Sequence, residues 1–363
     1  MEKKGRKSGS WIYTLSFIFF IYVFLVSIRL MGSAFKLFGK DFAHTLITGT
    51  ANPFVGLFVG ILATSIVQSS SCTTSIVVGL IASGSLPILN AVPIIMGANI
   101  GTTVTNTLVS LGHIHRRNEF QRAFAGATCH DFFNILSVLV IFPLQIKFHI
   151  LNRVAEFFTN LFVQTGGIKI INPLKLTTQI AVKVLKGICF HRPLIMLLLA
   201  LLLLFISLRF ITRIMRSLVA TKAEKRINQY VFNDPKKAFV TGLSFTAIIQ
   251  SSSVATSLMV PLVGAGVVSV EKNFPYTLGT NVGTTVTAIL ASLATANPLA
   301  VSIALCHLIF NILGICIFYP LRWIPIGLAK ELSKKIAKRR GYVLLYILFT
   351  FYFIPLILIF LGR

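Results

Sequence analysis

Acidic residues are nearly missing from this sequence, which holds nine Asp and Glu against 34 Lys and Arg in 363 residues. Charge of either sign is scarce as well, at 12% of positions, where soluble domains carry about 25%. Together with 55% hydrophobic residues and a mean hydropathy of +0.84, this excludes an ordinary soluble domain and indicates a polytopic membrane protein. Cysteine is sparse too. Cys72, Cys129, Cys189, Cys306 and Cys316 form no CxxC pair, and all but one lie in apolar segments, so neither a disulfide framework nor a zinc site is indicated. No small-residue cleavage site follows the apolar stretch 11–31 behind the basic N-terminus, which therefore reads as a retained membrane helix. A net charge of +25 would suggest nucleic acid in a soluble protein. In a membrane protein it reports topology, because cytoplasmic loops collect Lys and Arg; no nucleic-acid partner and no organic cofactor are expected.

What the sequence does contain is itself, twice. At a constant shift of 182 residues, Gln68-Ser69-Ser70-Ser71 recurs as Gln250-Ser251-Ser252-Ser253, and Gly97-Ala98-Asn99-Ile100-Gly101-Thr102-Thr103-Val104-Thr105 recurs as Gly279-Thr280-Asn281-Val282-Gly283-Thr284-Thr285-Val286-Thr287. Asn52-Pro53 meets Asp234-Pro235 at the same shift, and Cys129-His130 has a later counterpart in Cys306-His307. The basic segments 1–10, 112–122, 209–237 and 320–340 carry 22 of the 34 Lys and Arg. Placing all four in the cytoplasm makes the halves inverted with respect to each other.

The expected fold is all-α and polytopic, with two inverted-topology repeats, each holding a re-entrant helical hairpin and an interrupted transmembrane helix. The first repeat covers 1–146, with span 11–31, a hairpin around 52–86 and spans 88–111 and 123–146. A connection over 147–192, with seven Lys and Arg and one Glu, has amphipathic patterns that suit interfacial helices. The second repeat covers 193–320, with its hairpin around 234–268. A basic cytoplasmic segment and a final transmembrane helix fill 321–363. The N-terminus is expected in the cytoplasm and the protein in the plasma membrane, or the inner membrane of a bacterium, surrounded by lipid.

A polar run such as Gln-Ser-Ser-Ser at membrane depth is tolerated in a broken helix that lines a cavity. Paired interrupted helices in inverted repeats point to a transport site at the midplane. Half-helix N-termini favour an anion there, while hydroxyls, amides and unwound carbonyls offer oxygens to a hard cation. A single Ser or Thr in a membrane helix is usually packing, but two ungapped copies of both clusters argue for a site. Asp131 is an ionisable residue within a span and so a functional candidate; His130 and His307 read as satisfied interior histidines.

At these residues, and at Arg122-Ala123-Phe124-Ala125-Gly126-Ala127-Thr128-Cys129-His130-Asp131-Phe132-Phe133-Asn134, the sequence resembles the type II sodium–phosphate cotransporter family. The resemblance implies inorganic phosphate held by Ser69, Ser70, Ser71, Ser251, Ser252 and Ser253. It implies co-transported sodium at Gln250, Ser251, Thr284 and Thr287, with Asp131 and Asn134 linked to further sodium sites. Gln68, the first-half equivalent of Gln250, is expected among the sodium ligands too, and Asn99, Thr102, Thr105 and Asn281 support the site. Where animal members of that family carry charged and amide residues after the first Asn-x-Gly-Thr block, this sequence has His113 and Arg116. The expected function is symport: sodium moving inward drives phosphate uptake by alternating access. An anion channel and an intramembrane serine hydrolase are the alternatives. A hydrolase needs one nucleophile and one base, so duplicated clusters have no purpose in it.

Overall fold

Helices follow one another without any strand among the described residues of the computed structural model, 10–165, 167–219, 231–339 and 341–362. In the first half they are α1 (Ser10–Gly49), α2 (Pro53–Val67), α3 (Ser70–Ser83), α4 (Ile88–Thr102), α5 (Val104–Ser110) and α6 (Arg117–Phe148). The connection forms α7 (Ile150–Gln164) and α8 (Gly167–Ile188). The second half holds α9 (Pro193–Val219), α10 (Pro235–Ile249), α11 (Ser252–Ser257), α12 (Met259–Gly264), α13 (Val270–Thr295) and α14 (Pro298–Phe318). Then come α15 (Trp323–Lys338), α16 (Tyr342–Leu348), a π turn at Phe349–Phe353 and α17 (Ile354–Leu361).

Six stretches among the described residues are long and apolar enough to cross a membrane: Ile12–Gly49, Ile88–His113, Arg117–Phe148, Pro193–Ile214, Pro298–Phe318 and Tyr342–Leu361. The first helix outruns the apolar stretch 11–31 and continues to Gly49, broken only at Gly39, which takes φ 85°. Hydropathy falls after Met31 while the helix runs on, so apolar length and helix length part company there. Residues 220–230 of the basic segment 209–237 lie outside the described residues.

Three Xaa-Pro pairs start helices in the same way. The side chains of Asn52, Asp234 and Asn297 accept from the backbone N–H two residues on, at 3.0, 2.8 and 2.9 Å, and a proline fills the first helical position. Capping answers a donor that the helix leaves unpaired, and proline has no N–H to lose there.

Glycine sets the closest helix contacts, and it does so twice. A Cβ added to Gly97 would lie 2.0 Å from the carbonyl oxygen of Leu57, and one added to Gly279 would lie 2.0 Å from that of Phe239. Gly60 and Gly242 would meet the carbonyls of Ile94 and Tyr276 at 2.1 and 2.2 Å. Every partner is displaced by the same 182 residues that relate the sequences. Backbone against backbone, α2 packs on α4 and α10 on α13, the close approach that small residues permit between membrane helices.

Candidate functional site

Each Gln-Ser-Ser-Ser run is a break between two short helices. Gln68 ends α2 with φ 55° and ψ 29°, and Gln250 ends α10 with φ 60° and ψ 27°, both left-handed. The next residues, Ser69 (φ −150°) and Ser251 (φ −152°), are extended, and each caps the following helix through its hydroxyl, accepting from Cys72 N at 3.2 Å and from Val254 N at 3.3 Å. A left-handed non-glycine residue followed by an extended serine interrupts the helix. It also leaves the leading amides of α3 and α11 without intrahelical acceptors.

The two breaks meet. The Ser71 hydroxyl donates to the carbonyl of Gln250 at 3.1 Å and to Thr287 Oγ1 at 3.3 Å. Ser70, Ser71, Ser252 and Ser253 are buried. The hydroxyls of Ser70, Ser252 and Ser253 take no part in these capping and bridging bonds. Gln250 is buried, with its amide on the Ala247 carbonyl, whereas Gln68 is exposed. Thr284 bonds the Thr280 carbonyl of its own helix at 3.0 Å, and Thr102 does the same to Ala98 at 2.7 Å. Thr105, the equivalent of Thr287, has a buried hydroxyl with no partner.

Behind the tips runs a buried network that joins the halves. His130 Nε2 pairs with Asn281 Oδ1 at 2.6 Å, and His307 Nε2 pairs with Asn99 Oδ1 at 3.3 Å, so each half's histidine meets the other half's Asn-x-Gly-Thr block. Asn134 donates to the Asn99 carbonyl and accepts from Asn281, both at 2.8 Å. His130 Nδ1 lies 3.3 Å from the Asn106 amide, and Asn106 accepts from Thr256 of α11 at 2.7 Å. Polar groups withdrawn from solvent must find partners in one another, and here the partners lie in opposite halves. Both histidines are interior residues bonded by the duplicated motif itself; His130 has a partner on each nitrogen, whereas His307 Nδ1 is buried with no hydrogen-bond partner among the described residues, against the expectation that it is satisfied. The repeated Cys-His pair was the available signal, as was Thr256, which repeats Thr74 at the shift of 182; Asn106 carried none.

Asp131 is fully buried, one turn from Asn134 on α6. Its Oδ2 accepts from Thr107 at 3.2 Å and from the Tyr346 hydroxyl at 2.7 Å, and its Oδ1 has no hydrogen-bond partner. Such an oxygen is an open ligand position for a cation, since a buried carboxylate is costly unless paired. His113 and Arg116 meet Glu119, at 3.4 and 2.8 Å, in the turn before and the first turn of α6.

Residues 23–170 and 203–355 match the family model described as Na+/Pi-cotransporter. The sodium-dependent phosphate transport protein 2A of Ovis aries is 36% identical over 97% of this chain and 68% of its own length. Protein 2B of Homo sapiens is 36% identical over 93% of this chain and 63% of its own. Protein 2A of Oryctolagus cuniculus is 38% identical over 93% of this chain and 65% of its own. The chain thus spans about two thirds of the length of these curated relatives. No solved structure matches it.

Proposed function

The chain belongs to the Na+/Pi-cotransporter family, and from that premise we propose that it is a secondary symporter, not an enzyme, in which inward sodium movement drives uptake of inorganic phosphate. The observation that carries the reading is the meeting of the two broken helices, with Ser71 on the Gln250 carbonyl and Thr287. Phosphate is the anion that the two sets of leading amides and the hydroxyls of Ser69 to Ser71 and Ser251 to Ser253 would share. Sodium would be held by oxygens of Gln250, Ser251, Thr284 and Thr287, and a further ion by Asp131 and Asn134. Gln68, Asn99, Thr102, Thr105 and Asn281 would line or brace the same region.

Two features support re-entrant hairpins in inverted repeats. At about 1.5 Å per residue, the 15 residues of α2 and the 14 of α3 each fall short of a hydrocarbon core about 30 Å thick. The reciprocal His130–Asn281 and His307–Asn99 pairs are what an approximate two-fold relation between the halves would produce. Rocking of one half against the other would then open the tips to each side in turn. Placement in the plasma membrane with a cytoplasmic N-terminus completes the reading. It predicts that Asn118→Cys reacts with an impermeant thiol reagent only from the cytoplasmic side and Ala296→Cys only from outside, in a background lacking the exposed Cys316. Labelling of both from one side would overturn the inverted map.

The decisive assay is phosphate uptake by proteoliposomes clamped at several potentials, with and without an inward sodium gradient. Uptake indifferent to sodium would make the protein a channel. Phosphate is mostly divalent at neutral pH, and each uncompensated charge costs about 2.3 kcal/mol per 100 mV. Two sodium ions neutralise the cycle and a third makes it electrogenic. Because His113 and Arg116 have Glu119 as a counter-charge, we assign the extra charge to a sodium at Asp131. Uptake should therefore carry inward current, and Asp131→Gly should lose the current while sodium-driven transport persists. A wild-type rate independent of voltage would refute this assignment.

A further inference from the structure

The last helix lies outside both repeats, yet it reaches into the core at two points. Tyr346 of α16 donates to Asp131 Oδ2 at 2.7 Å, and Tyr352 of the π turn donates to the Ser65 carbonyl of α2 at 3.1 Å. The π turn has a local cause. Pro355 offers no N–H to the carbonyl four residues back, and its ring crowds that carbonyl. The chain instead closes a wider ring, from Ile354 N–H to the Phe349 carbonyl, a distortion that recurs at functional sites. Upstream of it, the Tyr346 ring is gripped edge-on by Phe124, at 5.8 Å between centroids, and by Phe351, at 6.2 Å. Phe124 and Phe351 are themselves fully buried.

We propose that Tyr346 is a positioning residue for the cation step: it holds one oxygen of the Asp131 carboxylate and thereby aims the other, Oδ1, at a sodium ion. The argument is one of geometry. Thr107 and Tyr346 both bond Oδ2, and Oδ1 has no hydrogen-bond partner among the described residues. A carboxylate with one oxygen tied down by two donors has lost its freedom to turn, so the open oxygen is fixed before the ion arrives. Neither Tyr346 nor its helix has a counterpart in the repeat, so this device would belong to one half alone.

The inference rests on the reading of Asp131 as a sodium ligand, and the test separates the two. Sodium activation of phosphate uptake is measured in proteoliposomes for the wild type, Asp131→Asn, Tyr346→Phe and the double variant. The expected result for Tyr346→Phe is a sodium half-saturation raised at least threefold, with a smaller change in the rate at saturating sodium, and no further shift when it is added to Asp131→Asn. A curve moved by Asp131→Asn but not by Tyr346→Phe overturns the proposal, as does an additive shift in the double variant or a fall in rate with half-saturation unchanged. If neither substitution moves the curve, the reading of Asp131 itself fails. Thr107→Val removes the other donor to the same oxygen and should shift the half-saturation in the same direction. An unmoved curve there, with Tyr346→Phe failing to fold, also counts against the proposal.

Discussion

Gly97→Ala and Gly279→Ala should each leave little folded protein, and to a similar degree. The added methyl carbon would stand 2.0 Å from a backbone carbonyl oxygen and 2.9 Å from a backbone nitrogen at either site. A flexible side chain could move aside, but a carbonyl in the next helix moves only with that helix. Overpacking costs about 1–3 kcal/mol in ordinary cores and more where backbone must yield, a large share of a typical folding free energy of about 5–15 kcal/mol. The comparison is Gly327→Ala in α15, where nothing lies within 4 Å of the new carbon; it should be neutral or stabilising by about 0.5–1 kcal/mol. Size-exclusion profiles and apparent melting temperatures in detergent read all three. Wild-type yield and melting for Gly97→Ala would mean that α2 and α4 are not in backbone contact.

Such contacts explain why so much of the design was legible. A glycine in a membrane helix is ambiguous alone, but Gly60, Gly97 and Gly101 recur as Gly242, Gly279 and Gly283, and only a shared packing surface preserves both spacing and residue type. The breaks at Gln68 and Gln250 were visible for the same reason. Helix ends were less so: α6 begins at Arg117 and α13 at Val270, before the apolar stretches begin, because a polar first turn is stable at a membrane surface and hydropathy does not register it. The connection over 147–192, with its amphipathic patterns, forms two helices, α7 and α8. Its docking, by Tyr22 on the Thr177 carbonyl and Arg29 on Thr178, had no sequence signal.

The same distinction separates the parts of the site. Serine and glutamine runs announce themselves by duplication, whereas contacts between residues that the repeat does not duplicate do not: Asp131 stands where the second half has Leu308. Tyr346 on Asp131 is of the second kind, since the final helix has no copy against which to compare it. The His–Asn pairs fall between: both members are duplicated, but sequence cannot tell that each pairs across the halves. Thr246 gives the converse. Its counterpart Thr64 donates to Thr73 at 2.9 Å, but position 255 is alanine where Thr73 stands in the first half, and the Thr246 hydroxyl is left without a partner. The two halves have therefore diverged at this pair.

Ser70→Ala and Ser252→Ala should each weaken phosphate uptake by about 10- to 150-fold in half-saturation, because a hydrogen bond to a charged group contributes roughly 1.5–3 kcal/mol. These two serines are the informative pair. Ser69 and Ser251 cap their helices, so their loss would confound a binding defect with about 1 kcal/mol of helix stability. Ser71 ties the two breaks together, so Ser71→Ala would confound the loss of a contact to the anion with the loss of that neutral bond, which contributes about 0.5–1.5 kcal/mol. Because one anion would span both breaks, the double variant should lose measurable uptake at phosphate concentrations that saturate the wild type, and neither half alone should suffice. Expression and sodium-free leak serve as the reference for intact protein. Wild-type half-saturation in a folded double variant would remove Ser70 and Ser252 from the anion site.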